Sequence, residues 1–291
     1  MINYSIIIPH KNIPHLLSRC LDSIPQREDI QIIVVDDNSE EMYLGALSDL
    51  KRPDTEFIFT KESKGAGYAR NVGLKRAVGK WLLFADADDY YTDNFLNALD
   101  KYRDTDMDIV YFCIKSIPDS FCEHINGNIR RYLNNKTTLE EDHLRLEWWE
   151  PWNKLFRREY IMSHNFLFEE IRVGNDAMFV VKSGYYADNI AADLFPIYNY
   201  VIRSGSLTTE RKDQNILISF NLSLRLNDFY RLVKRERFVQ NLFAIYSKKI
   251  YNTNKKYFFI CIVSVIKHRQ MCIFLRGFFR SVKYVIKNIQ L

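Results

Sequence analysis

"WLLFADADDYYTDNFL" (Trp81–Leu96) changes character within a few residues. It begins with an apolar run and then has three carboxylates within four positions, at Asp86, Asp88 and Asp89. A short apolar run of this kind is typical of a strand that is buried on both faces of a parallel sheet. The carboxylates that follow could cap the next helix or bind a divalent metal ion, and this pattern by itself leaves both open.

The sequence before this stretch alternates between strand and helix patterns. Runs rich in Ile and Val predict strands at Tyr4–Pro9 and Ile30–Asp37, and the segments "TEFIFT" and "KWLLFAD" predict two more. Helical patterns lie between them, at Pro14–Ile24, Glu40–Leu50 and Gly67–Val78. This alternation predicts an α/β fold with a doubly wound, mainly parallel sheet and flanking helices.

Polar residues follow three of these predicted strands at the point where each ends. The three segments are Pro9–Asn12, Asp36–Ser39 and Asp86–Asp89. In doubly wound sheets, ligands bind at the carboxyl ends of the strands, near the point where the strand order reverses. We therefore expect these segments to meet in one binding site.

The pattern is less regular from Asp108 onward. It predicts a strand at Asp108–Ile117 and an irregular connection over Pro118–Thr138. The later segment "NFLFEEIRVGNDAMFVVKSGYYA" (Asn165–Ala187) is predicted to pass from a strand through a Gly-Asn-Asp turn into a helix. Asp188–Ile202 resembles a strand pair, and the chain beyond Thr209 is helical in character. These shifts predict three parts: residues 1–107, residues 108–209 and a helical extension over residues 210–291.

Several other uses of the acidic strand end fail on spacing. An EF-hand requires Gly at loop position six, where this chain has Tyr91, and Glu at position twelve, where it has Asn97. The first strand is followed by "PHKNIP" instead of the glycine-rich turn of a dinucleotide-binding fold. Asp86 and Asp88 can point the same way from extended backbone, and such a pair suits Mg²⁺ or Mn²⁺. A capped strand end stays the alternative.

Five segments in a fixed order carry a family resemblance. They are "SIIIPHKN" (Ser5–Asn12), "IIVVDDNS" (Ile32–Ser39), "KGAGYARNVGLKRAVGKWLLFADADD" (Lys64–Asp89), "PWNKLFRREYI" (Pro151–Ile161) and "GNDAMF" (Gly174–Phe179). Together they resemble the inverting family 2 glycosyltransferases of GT-A fold, in particular bacterial enzymes that build capsule, lipopolysaccharide or exopolysaccharide. The resemblance covers roughly residues 3–206. It implies transfer of a hexosyl or N-acetylhexosaminyl group from a nucleotide-sugar, a UDP-sugar in particular, to a glycan or lipid-linked oligosaccharide.

The resemblance implies roles for residues that match the family motifs. Asp176 matches the catalytic base, and Asp86 and Asp88 match the residues that meet the ribose and ligate Mn²⁺ or Mg²⁺. The residues implied to bind the nucleotide-sugar are Pro9, Asp37, Arg70, Asp86, Arg203 and Ser206. Asp89 is expected to help start the next helix instead.

The acceptor side is implied by Asn175 and by a cluster of tryptophans. Trp149 and Trp152, with Trp148 beside them, could stack on sugar rings or could be core residues. Asn175 stands where the family usually has Glu, and Lys11 stands where it usually has Tyr. These departures leave a non-catalytic sugar-nucleotide-binding or scaffold protein as one alternative. A nucleotidyltransferase is the other, although the first strand is not followed by the glycine-rich loop that it needs.

The charge of the chain is divided unevenly. Residues 237–291 contain eleven Lys and Arg and no acidic residue; since the whole chain has a net charge of +5, residues 1–236 carry −6. In the last helical segment, Leu275, Phe278, Val282 and Ile286 share a face opposite basic residues. This pattern predicts binding to an anionic membrane surface. Packing on the catalytic domain or a homodimer is the alternative, and no nucleic acid partner is expected.

The remaining features predict a location in the cell. The five cysteines lack zinc-ligand or disulfide-framework spacing, which is typical of reduced thiols in a cytosolic protein. The longest apolar stretch, Tyr257–Ile266, is too short to span a bilayer. We therefore expect a cytoplasmic protein that associates peripherally with the inner face of the cell membrane.

Overall fold

The computed structural model describes residues 1–50, 52–117, 122–203, 213–243, 245–246 and 255–276. The chain divides into two compact units, Met1–Arg203 and Ser204–Leu291. The first unit is built on one eight-stranded mixed sheet with helices on both faces.

Strands and helices alternate through most of the first unit. The strands are β1 (Tyr4–His10), β2 (Ile30–Asp37), β3 (Thr55–Thr60), β4 (Trp81–Phe84), β5 (Tyr90–Tyr91), β6 (Ile109–Ile117), β7 (Lys154–Arg157) and β8 (Ile190–Val201). The helices are α1 (Pro14–Asp22), α2 (Glu41–Ser48), α3 (Ala66–Arg76), α4 (Phe95–Asp100), α5 (Cys122–Asn135), α6 (Thr138–Leu146), α7 (Arg158–Ser163) and α8 (Ala177–Tyr186).

The sheet has the strand order β3-β2-β1-β4-β7-β6-β8-β5. The first four strands in this order are parallel, β7 is antiparallel to both of its neighbours, and β6 and β8 are parallel. β1 lies between β2 and β4, so the chain order reverses at β1. The carboxyl ends of these three strands therefore border the crevice where doubly wound sheets bind ligands.

The continuous apolar runs are explained by burial on both faces of the sheet. Ile6 and Ile8 pack into the core on one face, while Ile7, Ile33 and Val35 pack into a second core on the other. Because successive side chains of a strand point to opposite faces, every position of such a strand must be apolar. The predicted doubly wound α/β fold is confirmed.

The second unit has helices and a core of its own. The described elements are α9 (Asp213–Leu232), a 3₁₀ turn (Glu236–Phe238) and α10 (Lys255–Lys267). Phe220 and Leu224 of α9 cluster with Cys261 and Val265 of α10. No helix in the described residues combines the length and hydropathy needed to cross a bilayer. Residues 277–291, which make up most of the last basic segment, lie outside the described residues.

Three expected elements differ from the structure. Most of the connection expected to be irregular is α5, which buries Ile125 and Ile129 four residues apart. The expected pair at Asp188–Ile202 is one long strand, β8, whose pairing with β6 is irregular near Pro196. The segment "NFLF" is not a strand, because the backbone N–H and C=O of Phe168 bond to the side-chain amide of Asn71, at 2.9 Å each.

Candidate functional site

A buried hydrogen-bond network joins the carboxyl ends of β1 and β2. The backbone N–H of Ile13 donates to Nε2 of His10, so Nδ1 carries the ring proton and donates to Asp36 at 2.7 Å. Asp36 also accepts the backbone N–H of Ser39 at 2.8 Å. Burial tends to raise the pKa of Asp36, but the bonds from His10 and Ser39 outweigh it and hold the pKa below its usual value. Asp36 thus stays ionised and holds the two strand ends together.

Asp37 connects β2 to the turn that precedes α3. Its carboxylate accepts the backbone N–H groups of Lys64 at 3.0 Å and Gly65 at 2.8 Å. Gly65 has φ of +92°, a left-handed conformation that glycine adopts without strain. Lys11 donates from Nζ to the backbone carbonyl of Asp37 at 3.0 Å. Pro9 pairs with Val35 across β1 and β2. The residues expected to meet the nucleotide base therefore lie on adjacent strand ends.

The three carboxylates of "DADD" have different partners. Asp86 pairs through Oδ1 with Nη2 of Arg70 at 2.5 Å, and Asp88 pairs through Oδ2 with Nε of Arg203 at 2.7 Å. Asp89 is buried and accepts the backbone N–H of Val201 at 2.7 Å and the hydroxyl of Tyr198 at 3.1 Å.

Asp89 therefore does not start the next helix, which is a correction to the sequence interpretation. α4 begins only at Phe95, with Asn94 at its N-cap. The Tyr198 hydroxyl also accepts the backbone N–H of Asp86 at 2.8 Å, so β8 holds the acidic loop at two points. Burial, with the nearby charge of Asp86, raises the pKa of Asp89 to about 9.

Asp86 and Asp88 have the donor chemistry of a shared cation site. Each carboxylate uses one oxygen for an arginine in the contacts above and has a second oxygen for a hard cation. The described residues contain no group of three or more His, Cys, Asp or Glu side chains that could hold a metal ion. Two carboxylates fit Mg²⁺ or Mn²⁺ when substrate oxygens and water complete the coordination shell.

Arg70 joins the acidic loop to the start of α8. Its guanidinium is buried, with 4% of the residue exposed, and donates from Nη1 to Oδ1 of Asn175 at 2.6 Å while Nη2 pairs with Asp86. Gly67 permits α3 to lie close to the segment before α8, because a Cβ at this position would lie 2.0 Å from the backbone oxygen of Glu169. Asn175, expected near the acceptor, is thus the partner of Arg70.

Asp176 occupies the N-cap position of α8, and its side chain does not cap the helix. Burial raises its pKa to about 7; the Arg70 guanidinium opposes this rise, and the carboxylates of Glu150 and Asp86 add to it. A carboxyl group with a pKa near neutrality can accept a proton efficiently in a reaction at that pH. Asp176 therefore has the ionisation behaviour expected of a general base, and it lies near enough to Asp86, which follows β4, for the charge of Asp86 to raise its pKa.

The two tryptophans expected to stack on an acceptor lie in different environments. Trp152 is only 2% exposed and stacks on Tyr198, with ring centroids 5.0 Å apart. Its ring is therefore a core element in this structure, a correction to the expected stacking on sugars. Trp149 is partly exposed, and its indole Nε1 is buried without a hydrogen-bond partner.

Sequence reasoning missed Glu150 and Lys154, which flank Trp152 in the same segment. Oε2 of Glu150 is buried and has no hydrogen-bond partner. Lys154 is buried and donates from Nζ to the backbone oxygen of Glu150 at 2.5 Å and to Oδ1 of Asn153 at 2.8 Å. Two charges inside "WWEPWNK" were the available signal, because charged residues are seldom buried without a function or a partner. Ser206 lies outside the described residues.

Comparisons with known proteins agree with this architecture. The family model described as "Glycosyl transferase family 2" matches residues 5–163. Glycosyltransferase GlyA of Streptococcus pneumoniae is 26% identical over 225 residues, which cover 70% of this chain and 31% of that protein. Poly(ribitol-phosphate) beta-N-acetylglucosaminyltransferase TarS of Staphylococcus aureus is 23% identical over 245 residues, covering 80% of this chain and 40% of TarS. The chain thus spans less than half the length of these two relatives.

Solved structures show the same fold. The crystal structure of S. aureus TarS 1–349 in complex with UDP-GlcNAc superposes with a TM-score of 0.61 at 18% identity, over 78% of this chain and 66% of that one. The mannosyltransferase PcManGT of Pyrobaculum calidifontis, in complex with GDP-Man and Mn²⁺, superposes with a TM-score of 0.55 at 16% identity, over 91% and 73% of the two chains. The fold is that of the GT-A glycosyltransferases. Since the family model spans more than half of the sequence and includes β1 to β4 and the acidic loop, this chain belongs to glycosyl transferase family 2.

Proposed function

We propose that this protein is an inverting glycosyltransferase of bacterial surface-polysaccharide synthesis. It moves a hexosyl or N-acetylhexosaminyl group from a nucleoside-diphosphate sugar, a UDP-sugar in particular, to a hydroxyl of a glycan or lipid-linked oligosaccharide. The observation that carries the proposal is the bridge that Arg70 makes from Asp86 at the end of β4 to Asn175, the residue beside Asp176. It holds a carboxyl group with a pKa of about 7 close to the strand ends where a nucleotide would bind.

The donor would bind across the ends of β1, β2 and β4. Pro9 and Asp37 would meet the nucleotide base, and Arg70 and Asp86 would meet the ribose and diphosphate. Arg203, with Ser206, would face the diphosphate, where a guanidinium pairs well with phosphate oxygens. That TarS has been crystallised with UDP-GlcNAc supports a nucleotide-sugar as the ligand of this fold.

The chemical step needs one base. Asp176 takes the proton of the acceptor hydroxyl while that oxygen forms a bond to the anomeric carbon. The bond from the anomeric carbon to the diphosphate oxygen breaks, and the nucleoside diphosphate leaves with the electron pair. Attack opposite the leaving group inverts the anomeric centre. Asp86 and Asp88 would hold Mg²⁺ or Mn²⁺, which when bound would offset the charge of the departing diphosphate.

The second unit has a surface that suits an anionic membrane. Phe259, Val263 and Ile266 of α10 share one side of the helix and are 70%, 64% and 58% exposed. The opposite side, with Cys261 and Val265, is buried against α9. Residues 237–291 carry only positive formal charge, which attracts anionic lipids to the same unit. We therefore place the protein at the inner face of the cell membrane, with the homodimer as the competing use of this face.

The non-catalytic alternative has one observation in its favour. Asn175 removes a carboxylate that the family usually has beside the base, so the chain could bind a sugar-nucleotide without turnover. The two functions give different results when donor binding and donor turnover are measured separately.

The test is a panel of UDP-, GDP-, dTDP- and CMP-sugars, assayed for binding and hydrolysis with Mn²⁺ and with EDTA. We expect one donor to bind only with the metal, Asp88→Ala to lose binding, and Asp176→Asn to keep binding but lose turnover by roughly 10²–10⁴-fold. Asp93→Ala, which removes an exposed carboxylate close by in the sequence, is the matched control. Donor binding without turnover in the wild type would favour the non-catalytic protein. Donor binding that is unchanged both by EDTA and by Asp88→Ala would overturn the metal site.

A further inference from the structure

Two adjacent side chains of the tryptophan-rich segment have polar atoms with unused hydrogen-bonding capacity. They are the indole Nε1 of Trp149, a donor, and the carboxylate Oε2 of Glu150, an acceptor; both atoms are buried and neither has a hydrogen-bond partner. Buried polar groups in native proteins are nearly always paired, so an exception requires an explanation. A hydroxyl group can donate one hydrogen bond and accept others, so hydroxyl groups have the chemistry that satisfies both kinds of atom.

Lys154 gives Glu150 a counter-charge without occupying its carboxylate. Nζ of Lys154 bonds to the backbone oxygen of Glu150 and to Oδ1 of Asn153. Burial lowers the pKa of Lys154 to about 8, while Glu150 and Asp176 oppose that change. Burial also raises the pKa of Glu150, and the charge of Lys154 opposes that rise. The carboxyl group of Glu150 is thus buried near a cation, and one of its oxygens has no hydrogen-bond partner.

The sheet places this segment beside the acidic loop. β7 runs antiparallel to β4 with Leu82 opposite Phe156, so Lys154 lies toward the carboxyl end of β4, which leads into Asp86. Trp152 stacks on Tyr198, whose hydroxyl bonds to the backbone of Asp86. Glu150 is also close enough to raise the pKa of Asp176. Trp149 and Glu150 are each partly exposed as whole residues, whereas Nε1 and Oε2 themselves are buried.

We propose that Glu150 and Trp149 bind a second hydroxyl of the acceptor, next to the hydroxyl that Asp176 deprotonates. The acceptor is then a polyhydroxylated compound, a sugar ring or a polyol, and not a simple alcohol. The second hydroxyl donates a hydrogen bond to the carboxylate of Glu150, and the hydroxyl oxygen accepts one from the indole N–H of Trp149. This inference rests on the proposed glycosyl transfer and assigns part of its acceptor site.

The test measures acceptor and donor separately. With the donor identified in the panel above, release of its nucleotide is followed in water alone and with methyl hexopyranosides, ribitol and 1-propanol as probes. We expect Glu150→Gln and Trp149→Phe each to raise the acceptor KM at least about tenfold, as expected for one lost hydrogen bond to a charged or buried partner. Donor binding should be unchanged. Glu159→Gln, on the exposed side of α7, is the matched control.

A deoxy analogue provides the sharper comparison. The analogue is the best sugar probe without the hydroxyl that contacts Glu150. Its KM with the wild type should be raised as much as the KM of the parent sugar is raised by Glu150→Gln. The two increases in KM should not add when the analogue is assayed with Glu150→Gln. Unchanged KM values in both variants would overturn the site. The site would also be overturned if the wild type hydrolyses the donor but reacts no faster with any polyhydroxylated probe than with 1-propanol. Absence of donor binding and hydrolysis in the wild type would instead overturn the proposed function, and this site with it.

Discussion

Nη1 of Arg70 donates to Oδ1 of Asn175 at 2.6 Å, so a neutral amide, where the family usually has a glutamate, is the partner of a buried guanidinium. The positive charge of Arg70 is then balanced mainly by Asp86 at 2.5 Å and acts on Asp176 as well. This relationship connects the acidic loop to the proposed base, so a change of charge at Asn175 or Asp86 should change the pKa of Asp176.

The activity should depend on ionisation of Asp176. Burial raises the pKa of this carboxyl to about 7, and a general base must be deprotonated, so kcat should rise with pH through that region and then level off. Initial rates at saturating donor and acceptor measure this rising limb of the plot of kcat against pH. A rate already independent of pH near pH 5, well below about 7, would contradict Asp176 as the base.

Asn175→Glu should move that limb to higher pH. The new carboxylate would pair with Arg70 and repel the charge of Asp176, and both effects disfavour ionisation of the base. The pH profile of kcat measures the change, and Asn175→Gln, which is longer but neutral, separates charge from size. An unmoved limb in Asn175→Glu would mean that Arg70 does not act on the base.

Asp176→Asn should stabilise the folded protein at neutral pH. The pKa of Asp176 is about 7 when folded and near 3.8 when unfolded, so the folded state loses stability as pH rises from the lower value toward the higher one. The variant has no such loss. Its Tm should therefore exceed that of the wild type at pH 8, which is above the pKa of about 7 in the folded state. Near pH 4, close to the pKa of the unfolded state, the two Tm values should be equal. Equal Tm values at both pH values would show that the carboxyl is not destabilised by burial.

Gly67→Ala should damage both stability and activity. The added Cβ would lie 2.0 Å from the backbone oxygen of Glu169, so α3 or the segment before α8 must shift, at about 1–3 kcal/mol in the free energy of unfolding. Denaturant unfolding and kcat measure the two effects. Gly45→Ala, in α2, has no atom within 4 Å of the new Cβ and should instead stabilise by about 0.5–1 kcal/mol.

Membrane binding should depend on the exposed face of α10. Val263→Ser with Ile266→Ser removes two apolar side chains that are 64% and 58% exposed, without touching the buried side of the helix. Cosedimentation with phosphatidylglycerol vesicles should fall, and wild-type binding should weaken with added salt and be lower with phosphatidylcholine. Unchanged sedimentation of the variant, or its conversion from dimer to monomer, would favour the competing uses of this face.

The early strands could be predicted because their signal is local. Every residue of β1 and nearly every residue of β2 is buried, so the apolar runs mark these strands directly, and the polar residues after them mark the site edge. The order of the motifs was specific enough to predict the family and the GT-A fold. The roles of individual site residues were carried by the resemblance and stay predictions.

The sequence by itself therefore determined the doubly wound sheet, its carboxyl edge and the family, because these follow from periodicity and motif order along the chain. Only the tertiary structure decided which partner each polar group has. Asp89 bonds to Val201, 112 positions away, and Phe168 bonds to Asn71, 97 positions away. The burial of Trp152 and the unpaired oxygen of Glu150 likewise depend on segments that meet only after folding. Hydrogen bonding and burial are properties of neighbours in space, and a pattern along the chain carries no record of those neighbours when they are a hundred residues apart.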